Sequence, residues 1–232
     1  MDWQHIIRLT RVPMLHLMFL VMDLMHRVQG VTVRGFIPDG KIGGAFHYDG
    51  VDDHWNVQGQ VLVGNQWTIA SWIRPEDFGG NSMGLGIYHQ GPSLGTNFLV
   101  YFGGAGYPGE TIGGRTNQGT FLTSPGGDLT LNTWQHVAMV NNGGMVTWYR
   151  DGNAIGNSTQ GSPGNADTAT VSYIGSWYNL APGRSFKGDI DELVIFNRLL
   201  SPEEIQGLFT AAPLSMEQRV DQLIQAIAPE LV

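Results

Sequence analysis

The sequence predicts an all-β fold, a sandwich or barrel of antiparallel strands, and three observations carry this prediction. The 33 glycines and 11 prolines among 232 residues are scattered between aromatic and β-branched runs and form no low-complexity block. From Gly43 onward, apolar and polar residues alternate with a period of two. Turn residues separate these runs at short intervals. Together these features are typical of many short strands joined by tight turns.

The first element along the chain, residues 1–30, predicts a helical arm. Its apolar residues recur at helical spacing, at Leu17, Leu20, Val21, Leu24 and Met25. A membrane span is disfavoured because His16, Asp23 and His26 interrupt the apolar run. A signal peptide would need a small-residue cleavage site, and the first alanine is Ala45. The open alternatives are a helix packed on its own domain, an arm buried on a neighbouring subunit, and a signal peptide.

The next elements are strands and hairpins. The run "WTIASWI" alternates, which places Trp67, Ile69 and Ser71 on one face and Thr68, Ala70 and Trp72 on the other. The runs "NFLVYF", "WQHVAMV", "MVTWYR" and "TVSYIGSW" have the same character. "NNGG" and "RDGNAI" each predict a tight hairpin, because glycine tolerates the positive φ angles that such turns require. The middle of the chain is therefore predicted to be an antiparallel meander.

Four segments carry a resemblance to a known family. They are "GKIGGAFHYDGVDD", "WTIASWIRP", "NTWQHVAMVNNGGMVTWYRDGNAIG" and "FKGDIDELVIFNRLLSPEEI", in this order. Together they resemble a laminin G-like domain of the concanavalin A-like lectin and glucanase superfamily. The resemblance spans about Gly40 to Phe209 and implies a jelly-roll sandwich of two antiparallel sheets. We place this sandwich at residues 31–210, between the short helices that apolar spacing predicts at the N- and C-termini. The methionine-rich arm, 1–30, departs from the family pattern.

The acids of "GDIDEL" suggest a catalytic pair, because Asp189 and Asp191 would share one face of a strand. The resemblance implies instead that this segment is the last strand of the sandwich. Glycosidases of the superfamily carry Glu-x-Asp-x-Glu on a central strand, whereas this segment reads Asp-Ile-Asp-Glu. We therefore expect structural acids, no catalytic residues and no enzymatic activity.

The segment "LSPEEI" predicts the start of a short helix after the last strand. Ser201 is a good N-cap, and Pro202 suits the first helical turn. Glu203 and Glu204 lie where the helix dipole favours negative charge. These two acids are therefore explained by helix initiation.

The segment "YDGVDD" predicts either a turn whose aspartates bind their own backbone or an oxygen-rich site for calcium. The resemblance implies a structural calcium ion at the edge of the sandwich, with Asp49 and Asp191 as its ligands. No other cofactor is expected. The seven histidines show no paired spacing typical of a zinc site.

Aromatic residues in loops are the candidates for ligand binding. Tyr107, Trp177 and Tyr178 lie in turn-rich segments, where exposed rings would offer flat faces to sugars. The alternative is that these rings are edges of the core. Nucleic acid is an unfavourable partner, because 14% of residues are charged and the formal net charge is -8. The absence of cysteine excludes disulfides and thiol catalysis.

The last segment, 211–232, predicts an amphipathic helix. Its apolar stripe consists of Met216, Val220, Leu223, Ile224 and Ile227. An apolar helix at each end predicts a homo-oligomer or a larger protein shell. The sequence thus favours a non-enzymatic surface or structural protein, such as a virion (phage capsid) decoration or coat component that displays a lectin-like sandwich and binds carbohydrate. The alternative is a secreted carbohydrate-binding lectin module or glycan-processing accessory domain.

Overall fold

The computed structural model describes ten stretches of the chain. They are residues 35–58, 60–78, 85–91, 95–101, 110–116, 121–125, 129–159, 165–168, 171–177 and 183–211. The predicted arm, 1–30, and all but the first residue of the predicted segment 211–232 lie outside these stretches. The helices expected there therefore stay predictions.

Thirteen strands and one helix make up the described fold. In chain order the elements are β1 (Phe36–Ile37), β2 (Ala45–Asp49), β3 (Trp55–Gln58), β4 (Gln66–Pro75), β5 (Leu85–Gln90), β6 (Thr96–Tyr101), β7 (Thr111–Arg115), β8 (Leu122–Thr123), β9 (Gln135–Asn142), β10 (Met145–Arg150), β11 (Asn153–Thr159), β12 (Val171–Ile174), β13 (Lys187–Phe196) and α1 (Pro202–Thr210). A seven-stranded sheet has the order β1-β2-β13-β4-β9-β10-β11, and a six-stranded sheet the order β3-β12-β5-β6-β7-β8. All strand pairings within them are antiparallel. The predicted jelly-roll sandwich is confirmed.

The core lies between the two sheets and follows the predicted alternation. In β4, Trp67 and Ile69 belong to the core between the sheets, whereas Ala70 packs in a second cluster on the outer face of the seven-stranded sheet. The largest fully buried side chains are aromatic, and Trp67 and Trp148 have the greatest volume among them. Each fully buried large apolar side chain contributes roughly 1.5 to 3 kcal/mol, so this core is the main source of stability.

Both predicted hairpins are confirmed. The β9–β10 turn has Gly143 and Gly144 at φ 63° and 95°. The β10–β11 turn has Asp151 and Gly152 at φ 46° and 78°. Positive φ at both central residues matches the twist of the flanking strands, which is why these short sequences predicted their turns.

Helix α1 covers the outer face of the seven-stranded sheet. Its Ile205 is fully buried and packs in the second cluster with Ala70, Ala138 and Val194 among others. Ser201 and Glu204 form a capping box, which confirms the predicted helix start. No helix in the described part of the chain has the length and apolar character needed to cross a membrane. Among the described residues, the six-stranded sheet has no helix over its outer face.

Candidate functional site

The outer face of the six-stranded sheet carries a row of polar side chains, which we call the polar row. Tyr173 on β12 pairs with His89 on β5, His89 with Asn97 on β6, and Asn97 with Arg115 on β7. Neighbouring strands lie about 4.8 Å apart, so the row crosses about 14 Å of the sheet. His89 and Asn97 are fully buried, and Tyr173 and Arg115 are partly buried.

Trp177, which follows β12, packs against this row. Its ring stacks on His89 with the centroids 6.2 Å apart, and the Arg184 guanidinium lies 4.3 Å from the indole centroid. Trp177 is 9% exposed, which fits the alternative of a largely buried ring and not that of a ring exposed in a loop. The reason is that a short turn after β12 brings the indole back over the neighbouring strand. Its role in ligand binding stays a prediction.

The other two residues predicted to bind a ligand, Tyr107 and Tyr178, lie outside the described residues. The chain of neighbouring rings instead continues through the polar row to His54. Tyr173 lies 6.5 Å from His89, and His54 lies 6.3 Å from Tyr173, measured between ring centroids. No pattern in the sequence predicts this row, because its members come together only through strand pairing.

Two polar atoms beside His89 have no hydrogen-bond partner among the residues that the structure describes. They are Oδ1 of Asn97, an acceptor, and Nε1 of Trp177, a donor, and both are buried. A buried polar group without a partner costs about 1 to 3 kcal/mol, so native proteins rarely leave one without a reason. A ligand that supplies both a donor and an acceptor would satisfy both atoms.

The polar row contains no acidic residue. Arg115 lies in the row, and Arg184 lies on Trp177 beside it. This composition contrasts with the net charge of -8 for the whole chain. The face therefore suits neutral or anionic ligands better than cations.

Asp49 lies in a cluster of three acids, which we call the acidic loop: Asp49, Asp52 and Asp53. One carboxylate oxygen from each lies within 4.8 Å of the others. Oδ1 of Asp49 accepts hydrogen bonds from the backbone N–H groups of Val51 (2.7 Å) and Asp52 (3.3 Å), and the Asp49 N–H donates to Asp53 (3.1 Å). The loop is thus the predicted self-bonded turn, and its oxygens are also the ligand type that calcium prefers.

Asp191 does not join Asp49 in one site. The register pairs Asp49 with Lys187, which places Asp191 four residues further along β13, about 13 Å away at the usual rise. Asp191 is fully buried and accepts the backbone N–H of Ile42 at 2.8 Å. Burial, with a smaller contribution from the charge of Glu192, raises its pKa to about 8. We therefore correct the prediction that Asp49 and Asp191 bind one calcium ion together, because the two residues lie too far apart.

Two neighbouring side chains hold the Asp189 carboxylate, which does not face a substrate site. Its carboxylate contacts Nδ1 of His47 at 2.9 Å and accepts from Nε of Arg74 at 2.6 Å. The carboxylate is 2% exposed, and both of its oxygens have partners. This arrangement makes Asp189 a link between β2, β13 and β4, which agrees with the expectation of a structural acid.

An open cleft of about 260 Å³, which we call the edge cleft, lies beside the acidic loop. It is lined by Gly35, His47, Tyr48, Asp52, Asp53, His54 and Trp55. The Tyr48 hydroxyl is buried and has no hydrogen-bond partner in the described part of the chain. Burial and the nearby charge of Asp53 raise the pKa of this tyrosine far above its usual value. Sequence reasoning missed the cleft, although the aromatic residues that flank the acids in "YDGVDDHW" were a signal.

Several solved structures share this fold at 20% sequence identity or less. Domain 4 of AbnA, a GH43 extracellular arabinanase from Geobacillus stearothermophilus in complex with arabinotriose, has a TM-score of 0.60 at 20% identity, over 78% of this chain and 82% of that one. The CBM40 of the Ruminococcus gnavus IT-sialidase, bound to α2,3-sialyllactose, has a TM-score of 0.55 at 12% identity, over 71% and 96%. The heptameric SAP-like pentraxin from Limulus polyphemus has a TM-score of 0.56 at 17% identity, over 71% and 80%.

Sequence comparison gives the family. No curated protein matches the chain in sequence. A family model for laminin G-like domains matches residues 49–206, from the acidic loop to the middle of α1, which is more than half of the chain. The protein belongs to the concanavalin A-like lectin/glucanases superfamily, as a member with a laminin G-like domain.

Proposed function

We propose that the protein is a non-enzymatic carbohydrate-binding domain that holds a saccharide on the polar row of the six-stranded sheet. The observation that carries the proposal is the pair of buried, unpartnered atoms beside His89, Oδ1 of Asn97 and Nε1 of Trp177. A sugar hydroxyl both donates and accepts, so neighbouring hydroxyls on one ring complement this pair. Aromatic rings beside such atoms supply the apolar contact that a sugar ring also needs.

The similar structures support the ligand class. Arabinotriose is bound in the complex of the arabinanase domain, and sialyllactose in that of the sialidase module. One ligand is neutral and the other is acidic, so the class is carbohydrate and the identity of the sugar comes from this chain's own residues. Function lies in the site and not in the fold, which is why the polar row and not the likeness carries the proposal.

The absence of an enzymatic role is part of the proposal. Asp189 and Asp191 are the acids that most resembled a catalytic pair, and hydrogen bonds within the sandwich hold both. We expect no turnover of glycans, and Asp189→Asn to leave sugar binding intact.

We also propose that the domain faces the outside of a cell or a particle. Display in a larger assembly, such as a virion, is supported only by the apolar stripe that the sequence predicts in residues 211–232. A secreted binding module is supported by the similarity to a domain of an extracellular arabinanase. The secreted module is therefore the better supported setting.

Calorimetric titration with arabinotriose and sialyllactose tests sugar binding on the polar row. Trp177→Phe removes the indole N–H and Asn97→Ala removes the amide, and each should weaken binding roughly tenfold, the equivalent of one hydrogen bond. Trp72→Phe is the matched control, because Trp72 also has a buried, unpartnered Nε1 but lies on the other sheet. Unchanged affinity in both polar-row variants would exclude this face as the site.

A further inference from the structure

We propose that the edge cleft is a second binding site, distinct from the polar row, and that it takes a single neutral sugar ring. The cleft opens at the margin of the sandwich, between the end of β2 and the start of β3. No residue of the polar row lines the cleft, although His54 of the cleft lies 6.3 Å from Tyr173 of the row, measured between ring centroids. Binding at each of the two sites can therefore be tested separately.

The size of the cleft sets the size of its ligand. Its volume is about 260 Å³. Sites for drug-sized molecules begin at roughly 300 Å³, so this cleft suits one ring and not an oligosaccharide. A terminal sugar or a side branch fits this space.

The cleft offers both kinds of hydrogen-bonding group that a sugar requires. Asp52 and Asp53 supply carboxylate oxygens, which accept from hydroxyl groups. The Tyr48 hydroxyl is buried and has no partner, so it is the donor that a sugar oxygen would engage. Two acceptors and an unused donor in one cleft complement the hydroxyl groups of a sugar, which both donate and accept. The acidic loop alone would supply only acceptors.

The donor is held in place by its surroundings. The Tyr48 ring packs edge-on against Phe186, with the ring centroids 6.3 Å apart. Gly175, at φ 80°, lies directly beside it, and a Cβ at this position would clash with the tyrosine ring. Trp55, at the other side of the cleft, packs edge-on against Phe46 at 5.1 Å. Such packing fixes the rings, so little conformational entropy is lost when a ligand binds.

Charge decides between neutral and anionic sugars. The acidic loop places three carboxylate oxygens within 4.8 Å of one another, two of the three residues line the cleft, and the chain carries a net charge of -8. A uronate or sulfated sugar would bring a like charge to these groups at short range, which is unfavourable. The cleft should therefore select neutral rings.

Two tyrosine variants test the hydroxyl. Tyr48→Phe should weaken binding of a neutral methyl glycoside roughly tenfold and leave the melting temperature unchanged or higher, because the hydroxyl has no partner in the free protein. Tyr88→Phe is the matched control. Its hydroxyl is bonded to Gln90 (2.9 Å) and Ser172 (3.0 Å), so this variant should melt lower and bind the glycoside unchanged. Unaltered affinity in Tyr48→Phe would overturn the proposal.

The indole N–H signals of Trp55 and Trp177 report the two sites in one NMR spectrum. The probes are the methyl glycosides of glucose, galactose, mannose, xylose and arabinose, with glucuronate and galacturonate as anionic counterparts. At least one neutral glycoside should shift the Trp55 signal, and the uronates should not. Asp53→Asn should weaken this shift, and exposed Asp39→Asn should not.

Three results would contradict the proposal. They are no shift of Trp55 with any neutral glycoside, an equal shift with the uronates, and a shift that requires added calcium, which would mean that a cation and not these side chains holds the sugar. A shift of Trp177 alone would support binding on the polar row and exclude the edge cleft.

Discussion

At the scale of single residues, His136 links stability to pH. It is 2% exposed and lies between the rings of Trp72, at 5.5 Å, and Phe209, at 6.2 Å. Burial lowers the pKa of this histidine from 6.5 to about 4. Between these values the unfolded chain binds a proton at His136 that the folded protein does not, so stability falls as the pH drops through this window.

We expect the titration of His136 to lower the free energy of unfolding by about 3 kcal/mol between neutral pH and pH 4. His136→Phe keeps the ring contacts and cannot titrate, so its stability should lack this loss. Urea denaturation from pH 7 to pH 4 gives the difference between the two proteins. Parallel profiles for both would show that His136 is not the titrating group.

Asp189 and Asp191 show how far sequence reasoning reaches at this scale. The prediction that they share a face is confirmed, because it needs only the period of a strand: both point away from the core that contains Ile190. The hydrogen-bond partners of these two carboxylates could not be predicted from the sequence. Arg74, His47 and Ile42 lie 115, 142 and 149 residues away in the sequence, and only the folded sheet brings them close.

At the scale of elements, the start of α1 is set by local sequence. The Ser201 hydroxyl accepts the Glu204 N–H at 3.2 Å, and the Glu204 carboxylate accepts the Ser201 N–H at 2.9 Å. Ser201→Ala should destabilise the protein by about 1 kcal/mol. Ser201→Asp, which keeps an acceptor at the N-cap, is the control and should lose much less. Equal losses in chemical denaturation would mean that the cap is not what the serine contributes.

We propose that the acidic loop also binds calcium, in competition with the sugar of the edge cleft, because both ligands would use the oxygens of Asp52 and Asp53. We expect calcium, in the absence of sugar, to bind the folded loop and to stabilise the protein by about 1.4 kcal/mol at ten times the dissociation constant. Asp53→Asn should abolish the rise in melting temperature, and Asp39→Asn, an exposed acid away from the loop, should keep it. A melting temperature unaffected by chelator and by millimolar calcium would leave the loop as a self-bonded turn.

Strands, hairpins and the helix cap could be predicted because each is encoded within a few consecutive residues. The polar row and the edge cleft could not. Asn97 and Trp177 come together only through the pairing of β6, β5 and β12. Trp55 and Tyr48 line one cleft because the two sheets meet at their margin. Sequence spacing does not show which residues meet in this way, although the aromatic residues that flank the acids in "YDGVDDHW" were a signal for the cleft. The resemblance supplied the fold without the site.

At the scale of the whole molecule, the two outer faces differ. The face of the seven-stranded sheet is apolar beneath α1, where Ile205 and Leu200 are buried. The face of the six-stranded sheet is polar and carries unpartnered atoms. The sandwich therefore has one side packed under α1 and a second side where we propose that the ligand binds, and a ligand on the polar row would not compete with α1.

The segment after α1 is predicted to hold copies of the chain together. If residues 211–232 form the predicted helix, five apolar residues share one stripe: Met216, Val220, Leu223, Ile224 and Ile227. Monomers rarely leave a patch of this kind uncovered. Each side chain contributes roughly 1.5 to 3 kcal/mol when buried, so together they outweigh the loss of freedom on association at its lower estimates. We expect a homo-oligomer, with a trimer as the preferred state.

Light scattering coupled to size exclusion measures this directly. Leu223→Glu with Ile227→Glu places two charges in the stripe and should yield monomers, whereas Gln222→Glu with Gln225→Glu adds the same charge at polar positions and should leave the oligomer intact. Binding of saccharide to each site should persist in the monomer, because both sites are built from residues of the sandwich. A monomeric wild-type chain would show that the stripe packs on its own sandwich, and display in an assembly would then lose its physical basis.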